Sequence, residues 1–116
     1  MSSEDMRMSS DREHKTALAV QMVESERQRQ DERWGEQRHG MPVWLAVLME
    51  EAGEASQAVL RLRTIPLEDG HRHRRRLAIH ALQSEVVQVA AVAVAMLEHI
   101  NDAIADADVL PGEVWQ

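Results

Sequence analysis

The chain contains no cysteine, which excludes disulfide bonds, cysteine-ligated zinc and thiol catalysis. It also has no phenylalanine and no tyrosine, and its three tryptophans bring the aromatic content to only 3%. A core must therefore be built from leucine, valine, alanine, isoleucine and methionine, which favours close packing of helices. With 116 residues the chain is one small domain, and we expect partner subunits to complete its core.

Basic charge and long apolar runs are also scarce. The formal net charge is −7, whereas binding of nucleic acids or anionic membranes requires clustered lysine and arginine. We therefore expect no DNA, RNA or membrane partner. No N-terminal apolar region resembles a signal peptide, and the apolar run 89–97 is far shorter than the roughly 20 residues that span a bilayer. These features predict a soluble, cytoplasmic protein.

The order of polar, apolar and helix-breaking residues predicts an all-α fold. We expect a small helical bundle of three long helices plus a short C-terminal turn, completed by oligomerisation. Residues 1–9 are polar and aperiodic, and are expected to be a disordered end. The helical domain is expected over 10–107, with a capping box between Ser10 and Glu13 at its start, and 108–116 form a tail.

Glycine and proline divide the expected helices. Gly35 is predicted to end the first helix in a left-handed conformation, after a polar half, 24–33, that is either solvated or meets a charged ligand. Pro42 suits the first position of the second helix, and Pro66 ends that helix. The third helix begins in the basic cluster 71–76. Its later part is apolar nearly all round, which is typical of a buried helix that lies partly in a subunit interface.

Three glutamates, Glu50, Glu51 and Glu54, lie in an otherwise apolar and small-residue stretch of the second helix. At about 100° per residue they fall within an arc of roughly 100°. Two carboxylates about 4 Å apart repel by roughly 4 kcal/mol at the effective dielectric of a protein surface, so a cluster must be protonated, splayed into water or bridged by a cation. For three glutamates alone, a solvated helix face is the simpler interpretation.

The same helix is expected to face the core through an apolar stripe, with Glu51 at the margin of that stripe. The stripe consists of Leu45, Leu48, Met49, Ala52, Ala55 and Val59.

A second acidic element lies downstream, where Glu85 and Gln88 open the most apolar stretch of the chain. Two antiparallel helices, one with the glutamates of the second helix and one with Glu85, could surround a hard divalent cation with oxygen ligands. The basic cluster 71–76 is interpreted as a solvated surface, with a phosphate clamp or a histidine metal site as alternatives. His71 and His73 are two residues apart, which directs them to different sides of a helix.

Three segments, RQDERWGEQRH, LMEEAGEASQAVL and LQSEVVQVAAVAVAML, together resemble the MazG-like group of all-α nucleoside triphosphate pyrophosphatases. The motif of that group is E-E-x-x-E followed by E-x-x-D on a later helix, and the likeness spans about 26–100. The resemblance implies a helical bundle, a homodimer or homotetramer, that hydrolyses a nucleoside triphosphate to a monophosphate and pyrophosphate. It also implies Mg²⁺ held by the acidic residues, with Mn²⁺ as a substitute.

Position by position, the resemblance assigns Glu51, Glu54 and Glu85 as metal ligands. Glu50 matches the first acid of the motif, as a ligand or as the group that positions and deprotonates water. Gln88 stands where the family has aspartate. The carbonyl oxygen of Gln88 can still bind a hard cation, but one negative charge is lost, so the affinity for metal should fall.

The substrate requires cations for its phosphates and a surface for its base. Arg33 and Arg75 are candidates for the phosphates, and His39 for a contact with a phosphate or the base. Trp34 or Trp44 could stack on the base, although Trp44, beside an apolar helix, is more typical of a core residue.

Three hypotheses follow from the sequence. The first is a Mg²⁺-dependent nucleotide pyrophosphohydrolase that cleaves (d)NTP to (d)NMP and pyrophosphate. The second is a non-catalytic helical module that binds a nucleotide or a protein partner and has a weakened metal site. The third is a purely structural oligomer whose acidic stripe is solvated.

Overall fold

A computed structural model describes residues 2–35 and 37–106, which form three α-helices and no strand. The helices are α1 (Ser3–Trp34), α2 (Met41–Arg63) and α3 (Arg72–Ala105), and a 3-10 turn, Asp69–His71, leads into α3. The predicted all-α fold is therefore confirmed. The expected tail 108–116 and the end of the expected C-terminal turn lie outside the described residues.

Helix α1 begins well before the predicted start at Ser10. The Ser2 side chain accepts a hydrogen bond from the amide of Asp5 at 3.1 Å and caps the helix, so the capping box at Ser10 is not used. Residues 3–9, expected to be disordered, are helical in the structure. All side chains from 2 to 21 are exposed, so this part of α1 extends away from the other helices.

The polar half of α1 is the half that packs against α3. Glu26 is buried there, and the Arg27 guanidinium donates to Glu98 at 2.7 Å. It also donates to Asp31 at 3.1 Å. This pairing lets a polar segment dock without leaving buried charges alone. As predicted, the helix ends at Gly35, which has a φ of 72° and donates its amide proton to the carbonyl of Asp31.

Helices α2 and α3 form an antiparallel hairpin. Pro42 lies in the first turn of α2, as predicted, and the helix ends before Pro66. Arg75 closes the connection, because its guanidinium donates to the carbonyl of Pro66 at 2.6 Å and to that of Glu68 at 2.7 Å. Arg75, in the first turn of α3, therefore holds the connection that brings α3 back along α2.

The core lies between α2 and α3. Its buried members are Met41, Trp44, Val92 and Ala95, and the half-buried side chains packed on them are Val47, Leu48, Met96 and Ile100. Trp44 is thus a core residue, which agrees with the structural alternative in the sequence analysis.

The apolar stripe predicted to face the core is only partly buried. Leu45, Met49 and Val59 are 53%, 61% and 42% exposed, so this prediction was wrong for them within the single chain. Helix α2 instead packs against α3 through the side that carries Trp44 and Ala58, which are fourteen residues apart. Burial of the large indole ring of Trp44 decides this orientation, because an indole carries more apolar surface than any leucine in the stripe.

Helix α3 and its preceding turn, 69–105, are long and apolar enough to cross a membrane by length and composition alone. The expectation that every apolar run is too short therefore does not hold for the whole helix. Only 11% of the 18-residue apolar stretch of this helix is buried within the chain, which leaves many apolar side chains uncovered. The core helix of a globular protein passes the same test, so the absence of a membrane partner and the cytoplasmic location stay predictions.

Candidate metal centre

The structure brings together three glutamates from two helices. Glu51 and Glu54 lie one turn apart on α2, and Glu85 faces them from α3. One carboxylate oxygen from each lies within 4.8 Å of the other two. In the part of the chain that the structure describes, this is the single group of three acids or histidines close enough to hold a cation, and it includes neither His71 nor His73.

Two oxygens of this cluster lack partners. The Oε2 atoms of Glu51 and Glu85 are shielded from solvent, and neither has a hydrogen-bond partner. A buried polar atom that is left unpaired costs about 1–3 kcal/mol, and more when it is charged. A cation between α2 and α3 would supply the missing interaction to both.

Burial raises the pKa of the Glu51 carboxyl above its ordinary value, and repulsion from Glu54, Glu85 and Glu50 raises it further. Burial also raises the pKa of Glu85, followed by repulsion from Glu54, while the charge of Arg61 opposes part of this effect. The fold therefore holds negative charges together at a cost, which a proton or a metal ion can remove.

The other two residues of the motif lie beside the cluster. Glu50 is exposed on α2, close enough for its charge to raise the pKa of Glu51. Gln88 is half-buried on α3, one turn after Glu85 and about 60° from it around the helix. Ligation of a metal ion by any of these side chains stays a prediction.

Arg61 is a site residue that the motif alone does not reveal. It follows Glu54 by seven residues and Glu50 by eleven, so the three lie within an arc of about 40° on one side of α2. Arg61 is exposed, and its charge acts on Glu85 on the facing helix. The helical spacing was available in the sequence, but the proximity to Glu85 required the hairpin.

A cleft of about 980 Å³ runs from Glu51 to the connection between α1 and α2, with walls from all three helices. Trp34 is 60% exposed in its wall, and the guanidinium carbon of Arg33 lies 4.7 Å from the centre of the Trp34 ring. The ring of His39 meets that of Trp44 edge to face, with the centroids 4.9 Å apart. The Nε1 atom of Trp44 is buried and has no hydrogen-bond partner.

The predicted substrate residues therefore divide into two groups. Trp34 and His39 line the cleft, and Arg33 stacks on Trp34. Arg75 lies at the connection between α2 and α3, where its guanidinium binds two backbone carbonyls. These bonds give Arg75 a structural role, so Arg61 is the better candidate for a cation near the acids.

Comparisons of the chain with protein-family models, with curated proteins and with solved structures find no match. The likeness to the MazG-like group is therefore confined to the residues of its motif. The features of the structure that bear on function are the three acids and the cleft beside them.

Proposed function

We propose that this protein is a Mg²⁺-dependent nucleotide pyrophosphohydrolase that cleaves a (d)NTP between its α and β phosphorus atoms to give a (d)NMP and pyrophosphate. The main support is the convergence of Glu51, Glu54 and Glu85, whose oxygens lie within 4.8 Å of one another. Mg²⁺ binds through one or a few carboxylates, substrate phosphates and water, and this donor set fits it. Mn²⁺ is a substitute with similar preferences.

The roles of the acids follow from their positions. Glu51, Glu54 and Glu85 hold the ion, and Gln88 offers a carbonyl oxygen from the next turn of α3. A bound Mg²⁺ would neutralise charge on the phosphoryl oxygens and lower the pKa of a coordinated water. Glu50, exposed beside the cluster, accepts the proton of the attacking water. The water oxygen forms a bond to the α phosphorus while the bond from that phosphorus to the α,β-bridging oxygen breaks, and pyrophosphate leaves with the bridging oxygen.

The substrate extends from the acids into the cleft. Arg61 holds the charged phosphates, because it is exposed on the same side of α2 as the acids. The base lies in the cleft against the exposed ring of Trp34, which any nucleobase can stack on. A volume of about 980 Å³ is enough for a nucleotide, since small-molecule sites span roughly 300–1,000 Å³.

The test is release of pyrophosphate from a panel of NTPs and dNTPs with Mg²⁺ or Mn²⁺. Glu85→Gln keeps the shape of the side chain and removes its charge, and we expect turnover to fall by at least about 100-fold, more than for loss of an outer-sphere partner. Glu24→Gln, at an exposed position on α1, is the matched control and should keep full activity. A silent panel with an intact circular dichroism spectrum would contradict the proposal.

A second candidate function is a non-catalytic module that binds a nucleotide or a protein partner. The observation in its favour is Gln88, which leaves three carboxylates at the centre instead of four. Under this alternative the wild-type protein binds nucleotide in calorimetry without turnover. Gln88→Asp should then tighten Mg²⁺ binding by about tenfold, or 1.4 kcal/mol, as expected for one added charge about 5 Å from a divalent ion in a solvated site. Unchanged Mg²⁺ affinity would show that Gln88 lies outside the site.

A further inference from the structure

The end of the hairpin that lies away from the cleft is strongly basic. Segment 61–76 holds six arginines and two acids, although the net charge of the whole chain is −7. Of the 13 lysines and arginines of the chain, six therefore lie in this one segment. The proposed function uses only Arg61 among them, and Arg75 is occupied by two backbone carbonyls.

Most of these arginines are not neutralised by a neighbouring acid. Four of them are exposed and, within residues 2–35 and 37–106, form no ion pair: Arg61, Arg63, Arg74 and Arg76. Arg72 meets Asp69 at 3.8 Å, but both side chains are largely exposed, so this pair contributes little. Several unpaired guanidinium groups at one end of a molecule attract anions, and a polyvalent anion gains most from them.

Two of these arginines, Arg61 and Arg74, lie in line with the acids of the candidate metal centre. Arg61 is seven residues after Glu54 on α2, and it lies within about 20° of that acid around the helix. Arg74 is eleven residues before Glu85 on α3, again within about 20° of its acid. We name this pair the arginine track. The other unpaired arginines face other sides of the two helices and add only to the positive potential.

The arginine track continues the hairpin beyond the acids. Glu54 and Glu85 face each other across antiparallel helices, so both arginines lie toward the same end of the hairpin. At 1.5 Å per residue, Arg61 is about 10 Å and Arg74 about 16 Å from its acid along the helix axis.

The acids separate the arginine track from the cleft. On the hairpin, the walls of the cleft come from 44–51 of α2 and 92–106 of α3, on the other side of the acids from the arginines. A nucleotide with its base in the cleft and its α phosphorus at the acids therefore directs its remaining phosphates along the track. Arg61, the nearer arginine, meets the β and γ phosphates of a triphosphate, and Arg74 lies about 6 Å further along the hairpin.

We propose that the preferred substrate is a nucleotide with more than three phosphates, a nucleoside 5′-tetraphosphate, whose terminal phosphate binds Arg74. This inference rests on the proposed function and names the substrate class of the same site. The longer chain gives Arg74 an anionic partner, which a triphosphate leaves out of its reach.

The longer phosphate chain changes the leaving group and keeps the reaction. The water oxygen forms a bond to the α phosphorus, and the proton of the water passes to Glu50. The bond from the α phosphorus to the α,β-bridging oxygen breaks. The products are a nucleoside monophosphate and linear tripolyphosphate, which leaves with the bridging oxygen. Arg74 stabilises the additional charge of this leaving group.

An oligophosphate fits the arginine track better than a nucleic acid strand does. A strand bound to the track would continue over the three acids, where the carboxylates repel its phosphates along the whole bound length. Nucleic acid binding also takes an extended basic face, whereas the unpaired arginines of this acidic chain are confined to one end of the hairpin. A single-stranded oligonucleotide is therefore the competing ligand in the test.

The first test needs neither metal nor turnover. Calorimetry of the full chain, without divalent ions and at about 0.15 M salt, compares inorganic tripolyphosphate with pyrophosphate. We expect tripolyphosphate to bind at least about tenfold more tightly, because it reaches both arginines of the track. Arg74→Gln should abolish this difference. Arg12→Gln, which removes one positive charge from the exposed half of α1, is the matched control and should retain it.

The second test is turnover of adenosine 5′-tetraphosphate and of ATP with saturating Mg²⁺, followed by phosphorus NMR. We expect kcat/KM to be at least about tenfold higher for the tetraphosphate, with tripolyphosphate as the product. Arg74→Gln should bring the ratio of the two values of kcat/KM close to one, and Arg12→Gln should keep it. Circular dichroism confirms the fold of both variants.

Three results would overturn the proposal. One is equal binding of tripolyphosphate and pyrophosphate by the wild-type protein, or an equal loss of binding in Arg74→Gln and Arg12→Gln. Another is a kcat/KM for ATP that matches or exceeds that for the tetraphosphate, which would leave the proposed function intact. The third is an oligonucleotide that binds more tightly than tripolyphosphate and is weakened by Arg74→Gln, which would assign the track to nucleic acid.

Failure of the proposed function has a different signature. Turnover of neither nucleotide would contradict that function, and the assignment of a substrate with it. The calorimetry, which depends only on the arginine track, distinguishes this outcome from a track that does not bind an oligophosphate.

Discussion

Substitution of Glu51 by glutamine should have opposite effects on the metal-free and the metal-bound protein. The carboxylate oxygens of Glu51, Glu54 and Glu85 lie within 4.8 Å, and two unit charges at this distance repel by about 0.9 kcal/mol in water and by about 3.5 kcal/mol at an effective dielectric of 20. Glu54 is exposed, and the raised pKa values of Glu51 and Glu85 mean that these two carboxyls bind a proton more readily than a free glutamate does. Both facts favour the lower figure.

Without metal, Glu51→Gln should therefore increase the free energy of unfolding by about 1 kcal/mol, or the melting temperature by about 4 °C. With metal the order should reverse. An ion that binds only the folded state stabilises it by about 2.7 kcal/mol when its free concentration is 100 times the dissociation constant. The Glu51→Gln variant should lose most of this stabilisation.

The assay is urea denaturation at about pH 8, with and without saturating Mg²⁺, at one fixed protein concentration. Glu24→Gln, on the exposed side of α1, controls for the change in net charge and should shift neither curve. If Glu51→Gln destabilises the metal-free protein, and Mg²⁺ stabilises wild type and variant equally, the three acids are not a cation site.

Three further predictions concern the pH dependence of stability, Arg61 and Arg27. Because burial and mutual repulsion raise the pKa values of Glu51 and Glu85, the folded metal-free protein binds protons more tightly than the unfolded chain, so the free energy of unfolding should fall as pH rises from the ordinary carboxyl range through the raised values. Saturating Mg²⁺ should remove this pH dependence of the free energy of unfolding. A pH dependence that persists in the presence of Mg²⁺ would count against the cation site. Arg61→Ala should raise KM for a triphosphate by about tenfold and leave Mg²⁺ affinity unchanged or tighter, whereas Arg63→Ala, on another side of α2, should change neither. Arg27→Ala removes a largely buried guanidinium from its two carboxylate partners, Asp31 and Glu98, and should lower the free energy of unfolding by about 1–3 kcal/mol in chemical denaturation; no change would mean that these bonds do not hold α1 on α3.

Much of the fold follows from local residue chemistry. Gly35 and Pro66 end α1 and α2, and Pro42 lies in the first turn of α2, because glycine tolerates positive φ and proline has no amide proton. The candidate site follows from spacing, since glutamates three residues apart on a helix must be neighbours. Glu51 and Glu54 were therefore identified without coordinates.

The pairing of the helices required the tertiary structure. Helical periodicity gives the angles between side chains on one helix but does not say which side meets another helix. It therefore predicts that the stripe with Leu45 and Met49 faces the core, whereas the burial of Trp44 turns a different side of α2 toward α3. The polar half of α1 docks because Arg27 finds Glu98, a partner 71 residues away that no local pattern indicates.

Residue chemistry thus decides where each helix of this chain begins and ends and which acids are neighbours along it. Packing decides that Glu85 meets Glu51, that Arg61 lies near them and that Arg75 is used to hold a turn, because such contacts depend on the rotation and register of one helix against another.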